Sequence, residues 1–315
     1  MLGPVLVTGA TGWIGTALLE QLRMRGIETV ALTRRTPRRD GDSARWIQID
    51  DDFRSLAERW PDGVTAVVHL AARVHQMNDS STDPLARYRS TNRDATLRLA
   101  ELGRAHGVKR FIFLSSIKAL GEIEPGHPWR ESDTPAPTDP YGISKLEAEI
   151  GLKDMMSEHF SPTIVRIPLV YGAGVSANFA SLMKAVQRGV PLPLGAATAP
   201  RSLLGMDNLI DALLTCLDRP QAAGQLLHIA DQEALPVRDL VLAIGVALNR
   251  KARLINVPLE MLHTVGRLLG RSEQVMRLTN PLRVDISHAQ SLLGWSPKYS
   301  LTDGLRAACA PLVDR

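Results

Sequence analysis

Val7-Thr8-Gly9-Ala10-Thr11-Gly12-Trp13-Ile14-Gly15 is the stretch on which the reading of this chain turns. Before it, Pro4 to Thr8 is a short apolar run. After it the spacing becomes helical, with Ile14, Leu18 and Leu22 at i, i+4 and i+8 and Gly26 placed to cap the helix. Strand, glycine turn and helix in that order read as a dinucleotide-binding turn. Gly9 permits the tight turn, Gly12 lets the backbone approach a pyrophosphate, and Gly15 lets the helix pack closely on the strand, while the helix N-terminus offers free N–H donors to phosphates. Glycines also simply punctuate turns, so it is the flanking strand and helix that give this triplet its weight.

Outward from that turn, strand-like and helix-like segments alternate. Thr29 to Leu32, Trp46 to Ile49, Ala66 to Leu70, Arg110 to Leu114 and Thr163 to Ile167 are β-prone runs, most of them separated by helical periodicity. The pattern predicts an α/β chain with a Rossmann-type, doubly wound parallel sheet. After Tyr171-Gly172 the character changes, with Pro and Gly clustered from Gly189 to Pro200 and helical segments after Asp231. The expected division is a dinucleotide-binding domain over residues 1–171 and a smaller, mainly substrate-binding lobe over 172–315. Residues 205–231 are expected to return to the first domain as one more helix, Asn208 to Leu217, and a strand, Leu226 to Ala230. There is no internal repeat.

Composition bounds the rest. The 315 residues suffice for one large core and a smaller one, and 44% hydrophobic with 22% charged residues is an ordinary soluble balance. The net charge of +4 suits a polyanionic ligand but is small for this length. Nucleic acid is not an expected partner, because the basic residues from Arg34 to Arg39 are not interleaved with aromatics and the chain has only 5 Phe, 5 Trp and 4 Tyr. Cys216 continues the apolar face of Leu209, Leu213 and Leu217, so it and Cys309 read as reduced thiols of a cytosolic core, with no disulfide and no metal site. The first strand begins within four residues of Met1, leaving no room for a signal peptide, and no apolar run approaches the roughly 20 residues of a membrane span. A cytoplasmic location is expected. Leu259 to Leu269, interrupted by Glu260, His263 and Arg267, reads as an amphipathic helix of a small core.

The end of the second strand bears on the cofactor. An acidic residue about 20 positions past the glycines would accept hydrogen bonds from the adenosine ribose, whereas an Arg accommodates a 2′-phosphate. This chain has Thr33-Arg34-Arg35 there, which favours NADP(H), with NAD(H) the alternative. Arg34 and Arg35, with Arg38 and Arg39, also fit a solvated basic loop. Asp50, at the end of the third strand, is placed to accept from the adenine amino group.

Tyr141 and Lys145 carry the catalytic argument. At i and i+4 of a helix they share one face, bringing an ammonium near a phenol. A free phenol has a pKa of about 10, and a nearby positive charge favours the phenolate, so the pair reads as a proton relay. Ser115-Ser116, directly after the Phe111 to Leu114 strand, places a hydroxyl at the carboxyl edge of the sheet to polarise a reacting carbonyl. A surface Tyr-Lys pair and turn serines are the plain alternatives, and the glycine turn lifts these positions above them.

With these motifs in place the chain resembles an extended short-chain dehydrogenase/reductase of the nucleotide-sugar epimerase and dehydratase group, over nearly its whole length. Thr8 to Gly15 matches the glycine motif, His69-Leu70-Ala71-Ala72 the segment beside the cofactor, Ser115-Ser116 the catalytic hydroxyl, and Tyr141 with Lys145 the YxxxK pair. Arg166-Ile167-Pro168-Leu169-Val170-Tyr171-Gly172 resembles the turn into the substrate lobe, and Leu293-Gly294-Trp295-Ser296-Pro297 the closing motif. The resemblance implies cofactor contacts from Gly9, Thr11, Gly12, Trp13, Ile14, Gly15, Leu70, Ala71, Ala72, Asn92, Ser115, Tyr141, Lys145 and Pro168. Asn92 equally fits a helix residue satisfied by the backbone. In this resemblance Ser116 holds the sugar oxygen, Tyr141 exchanges its proton and Lys145 binds the nicotinamide ribose. It also implies that Asn178 and Arg201, with Arg283 more weakly, contact the diphosphate of a UDP-linked sugar, and that Leu192-Pro193-Leu194 lies beside the uracil. Family members are often homodimers built through helices of the sheet domain; the sequence itself does not read out stoichiometry.

Departures from the family pattern bear on the reaction. Lys118 stands in Ser115-Ser116-Ile117-Lys118 where many epimerases carry a small or hydroxyl residue, which makes it a candidate substrate contact or a plain charged loop residue. Thr33 replaces the acidic residue typical of enzymes that hold NAD permanently. Leu70-Ala71-Ala72-Arg73-Val74-His75 resembles a branch tied to surface polysaccharide synthesis. The leading expectation is therefore NADP(H)-dependent reduction at C4 of a UDP-linked 4-keto-6-deoxy-N-acetylhexosamine, and the alternative is a UDP-sugar 4-epimerase. A non-catalytic NADP(H)-sensing protein on the same fold is a third reading, disfavoured because both Tyr141 and Lys145 are present.

Overall fold

A computed structural model describes residues 3–35, 44–74 and 83–313. Arg38, Arg39, His75 and most of the 74–84 loop lie outside the described residues. In chain order the elements are β1 (Val5–Thr8), α1 (Trp13–Met24), β2 (Thr29–Thr33), β3 (Arg45–Gln48), β4 (Ala66–His69), α2 (Pro84–Tyr88), α3 (Ala95–Ala105), β5 (Arg110–Ser116) and α4 (Pro140–Asp154). There follow β6 (Thr163–Ile167), β7 (Leu169–Tyr171), α5 (Ala177–Gln187), β8 (Pro200–Arg201), β9 (Leu203–Gly205), α6 (Met206–Asp218) and β10 (Leu226–His228). The chain closes with β11 (Leu235–Pro236), α7 (Val237–Ala247), α8 (Leu259–Leu268), α9 (Ser272–Thr279), α10 (Ser287–Leu293) and α11 (Leu301–Val313).

Seven strands form one sheet in the order β10-β6-β5-β4-β1-β2-β3, parallel at every pairing. Strands buried on both faces read as unbroken apolar runs, and β1 is the clearest, with Val5, Leu6 and Val7 all fully buried. The pleat sends alternate residues to opposite sides. Val5, Val7, Ala31, Val68 and Ile112 meet Leu18 and Leu22 of α1 and Leu209, Leu213 and Cys216 of α6. Leu6, Val30, Val67, Phe111 and Phe113 meet Leu99 of α3 and Ala148 and Leu152 of α4. Strand order reverses between β1 and β4, which opens the crevice where such sheets take their ligands.

A further apolar cluster unites Phe179 and Met183 of α5, Leu240, Val241 and Ile244 of α7, and Leu305 and Cys309 of α11. The last part of the chain is not confined to it. Ile286, Ala289, Leu293 and Trp295, in and around α10, pack into the same core as β1 and α6. Cys216 and Cys309 are both free and buried, and burial pushes their thiols up to about 12 and about 11.

The amphipathic segment expected at Leu259 to Leu269 forms α8, but its apolar stripe is not enclosed in a core. α8 packs on α9 where Gly266 meets Val275, whereas Met261, Val265 and Leu268 are exposed, Leu268 by 81%. Among the described residues no helix is long and apolar enough to cross a membrane, and no group of side chains has the make-up of a metal site.

Candidate active site

The loop after β1 is built for close approach. Gly9 has φ +64, where a side chain is strained, and a methyl there would lie 2.9 Å from the Ala71 nitrogen. Gly15 faces the loop from the first turn of α1, so that an added Cβ would strike the Gly9 carbonyl oxygen and stand 2.8 Å from Ala10 Cα. Replacing Gly15 by alanine is expected to force α1 off the loop and weaken dinucleotide binding roughly tenfold or more. A fluorescence titration against wild type checks this; unchanged affinity would mean the helix has room to shift.

Threonine and histidine side chains hold this loop to the next strand. The Thr8 hydroxyl accepts from the Leu70 and Ala71 amides at 3.1 and 3.0 Å. Its own proton is then directed to His69 Nδ1, 2.7 Å away. His69 Nε2 donates in turn to Thr96 Oγ1 at 2.8 Å, and Thr96 donates to the Asn92 carbonyl at 2.7 Å. Burial, aided by the Lys145 charge, lowers the His69 pKa to about 3, so this imidazole is a neutral brace. Asn92, in a π-helical turn between α2 and α3, is fully buried. It clamps the Arg73 backbone on both sides (2.8 and 3.0 Å) and donates to Ser144 Oγ on α4 at 3.0 Å. The alternative of a polar residue satisfied by the backbone therefore describes most of what Asn92 does.

Other expected cofactor residues are placed as follows. Thr11 is exposed on the loop, Ile14 is half-buried against the sheet, and Ala72 continues the segment held by Thr8 and Asn92. The Trp13 indole donates to the Ala173 carbonyl at 2.6 Å, tying the glycine loop to the entry of the substrate lobe. Pro168 is buried between β6 and β7. Asp50 accepts from the Ser55 amide at 2.8 Å through Oδ2, while its Oδ1 is buried with no protein partner. A buried acceptor without a donor is costly unless a ligand supplies one, and an adenine amino group would. With the glycine cradle, this fits the chain to a dinucleotide. Arg34 pairs with Asp51 at 2.9 Å in an exposed ion pair, and Arg35 is exposed.

β5 and α4 carry the side chains expected to be catalytic. β5 extends through Ser116, two residues beyond the expected run, and the pleat turns its last two serines to opposite sides. Ser116 favours ionisation of the Tyr141 phenol and caps the following 3-10 turn, accepting from the Lys118 amide at 3.2 Å. Ser115 points the other way. Its hydroxyl donates to Glu149, which grips Arg166 at 2.6 to 3.1 Å in a pair whose side chains are 1% and 2% exposed. The Ser115 side chain, expected beside the cofactor, is engaged by a buried ion pair behind the site.

Lys145, one turn past Tyr141 on α4, donates to the Leu114 carbonyl at 2.8 Å with its ammonium 4.3 Å from the centre of the Phe113 ring. Burial lowers its pKa to about 7, although the Glu149 charge works the other way. Burial also pushes the Tyr141 phenol up to about 12, against the hydrogen bond from Ser116 and with the Asp139 charge adding to the rise. The expectation that a nearby positive charge favours the phenolate is opposed here by desolvation of the phenol. In the ligand-free chain the phenol holds its proton at neutral pH.

On the substrate side, Arg201 in β8 donates to the Asn280 carbonyl at 2.7 Å. Burial and the charge of Arg277 lower its pKa to about 10, despite Glu124. Asn178 is exposed in the first turn of α5. Leu192 is held through its backbone to Arg253 and Ile255 at 2.8 Å, and its half-buried side chain packs on the lobe core. Two expected substrate contacts are otherwise engaged. Arg283 is gripped by buried Glu124, with Nε 2.9 Å from Oε1, and Lys118 forms an ion pair with Asp139. Both carboxylates lie far away in sequence, so spacing did not announce them.

Sequence reasoning also missed Asp139, Glu149 and Tyr88. Asp139 stands directly before a proline that opens a helix, a cap signal legible in Asp139-Pro140. Glu149 lies one further turn past Lys145 on the same face. Tyr88 meets Tyr141 edge-on, ring centres 6.2 Å apart, with Arg73 above its own ring, and nothing in the local sequence marks it.

Known proteins match this architecture. The sequence model of the NAD dependent epimerase/dehydratase family covers residues 5–230. The chain is 39% identical over 305 residues to UDP-glucose 4-epimerase of Vibrio cholerae, spanning 96% of this chain and 93% of that one. It is 27% identical over 316 residues to GDP-6-deoxy-D-mannose reductase of Pseudomonas aeruginosa, spanning 96% and 95%. Among solved structures, MoeE5 in complex with UDP-glucuronic acid and NAD superposes with a TM-score of 0.79 at 27% identity, covering 98% of both chains. The parallel sheet with the glycine loop at its switch point agrees with these matches, and the chain belongs to the NAD dependent epimerase/dehydratase family of NAD(P)-dependent enzymes.

Proposed function

We propose that the protein is a UDP-sugar 4-epimerase working with NAD. The 39% identity to the Vibrio cholerae UDP-glucose 4-epimerase along nearly the full length carries this reading, since the catalytic cluster by itself serves oxidation and reduction at C4 alike. The leading expectation, a 4-keto-sugar reductase using NADP(H), gives way to its alternative. The reductase relative is more distant and its name specifies a GDP sugar. The preference for a 2′-phosphate leaned on Arg34, which Asp51 occupies.

When bound between the glycine loop and Asp50, NAD would supply the hydride acceptor and donor. Ser116 orients the C4 hydroxyl. Tyr141 takes that hydroxyl proton as the C4–H bond breaks with its electron pair, and gives it back when hydride returns to the opposite face of the ketone. Lys145 supports the phenolate electrostatically from below, and Arg201 with Arg277 takes the diphosphate.

The test is incubation of purified protein with UDP-glucose, and separately with UDP-N-acetylglucosamine, without added nucleotide. Interconversion with the 4-epimer, together with NAD released on denaturation, is the expected result. Stoichiometric oxidation of NADPH by a UDP-4-keto-6-deoxy-N-acetylhexosamine, with no interconversion, would replace the epimerase by the reductase.

A further inference from the structure

The turn after β5 and the start of α4 are bound together by charge. Lys118, two residues past the Ser116 hydroxyl, reaches Asp139 in an ion pair whose side chains are 21% and 11% exposed. Asp139 is the N-cap of the helix that carries Tyr141, and its Oδ1 accepts from the amides of Tyr141 and Gly142 at 3.0 Å each. Its other oxygen takes the ammonium. The two segments also touch through their backbones, because Gly142 lies so close to the Lys118 carbonyl that a methyl there would collide with it.

We propose that Lys118 is a positioning residue for chemistry at Tyr141, acting through Asp139: it holds the carboxylate that caps the catalytic helix and cancels that carboxylate's charge beside the phenol. Three observations converge on this role. One carboxylate both fixes the amide of the reacting tyrosine and lies close enough for its charge to oppose ionisation of the phenol. Burial works against the Asp139 carboxylate, yet the hydrogen bond and charge of Lys118 outweigh it and hold its pKa below the usual range, so the pair is ionic. The same turn presents Ser116, so the ion pair fixes the hydroxyl and the phenol to each other across 21 residues of sequence. The other groups on this side are Tyr88 on α2, edge-on to the Tyr141 ring with Arg73 above it, and Glu122, which accepts from the Asp139 amide at 3.2 Å; Lys145, on the phenol's own helix, donates to the Leu114 carbonyl.

The test rests on the C4 hydride chemistry proposed above and uses the NAD-loaded protein. Lys118→Met leaves an uncompensated carboxylate, so the pH at which the tyrosine ionises, read from the pH profile of kcat, should rise by about one unit. Asp139→Asn retains a good N-cap and leaves the ammonium unopposed, so the same limb should fall by about one unit. The double variant Lys118→Met/Asp139→Asn should return it close to wild type. A purely structural brace would lower kcat in all three with the limb unmoved, and a substrate contact would raise KM for Lys118→Met alone; either result overturns the proposal. Tyrosinate absorbance, taken as each variant minus the same variant carrying Tyr141→Phe, reads the shift without turnover. If wild type interconverts no UDP-sugar, the epimerase reading fails while this titration still decides the role of Lys118.

Discussion

Replacing Tyr141 by phenylalanine should lower turnover about a thousandfold, the usual order for losing a positioned general acid and base, with dinucleotide affinity nearly unchanged. Ser116 acts on the ionisation of this phenol, and the ring without its oxygen still fills the same space against Tyr88. Steady-state rates on a UDP-hexose and a separate NAD titration make the comparison. A fully active Phe variant would remove Tyr141 from the chemistry. A variant that lost NAD affinity in step with turnover would show that the hydroxyl serves binding instead.

The largest effect on stability is expected from Glu149→Ala. That carboxylate neutralises Arg166 in the interior and receives the Ser115 hydroxyl, and both charged side chains are almost entirely removed from water. Truncating it strands a guanidinium in the core, which should cost about 3–5 kcal/mol and lower the melting midpoint by roughly 10 °C. Loss of the same carboxylate also removes the charge that favours the Lys145 ammonium, so the variant should lose activity beyond what its unfolding explains. Pairing Glu149→Met with Arg166→Met should recover most of the stability, since two apolar side chains leave no stranded charge. Calorimetry of the single and double variants decides this. A single variant within about 1 kcal/mol of wild type would mean that water or another group satisfies Arg166, the milder outcome for an unburied polar group.

Local pattern carried far because the signals involved are local. A glycine that must take φ +64, an apolar run followed by 3.6-residue periodicity, and a tyrosine one turn before a lysine are all properties of contiguous sequence. The parallel sheet with its flanking helices and the helix that carries Tyr141 and Lys145 were legible for that reason. Less legible was anything that depended on which distant side chain arrives at a given spot. Ser115 and Ser116 look equivalent in the chain, and only the pleat, together with Glu149 on the far side, separates a core hydroxyl from a reacting one. Lys118 and Arg283 are basic residues in plausible positions for a phosphate, yet Asp139 and Glu124 reach them first. Spacing also carried no information on desolvation, so Tyr141 and Lys145 looked like a phenolate and its ammonium, whereas burial opposes the charge on both.

The amino-acid sequence by itself marked the strands and helices of a parallel α/β sheet and a turn of the dinucleotide-binding kind, because each follows from backbone preference and burial periodicity within a few residues, whereas the order of the strands is set by pairings between distant segments. Tertiary structure decided which charges are free to meet a ligand and which proton the catalytic phenol keeps. Those depend on distance and solvent exclusion between segments tens of residues apart, and a pairwise Coulomb or desolvation energy has no counterpart in any single stretch of chain.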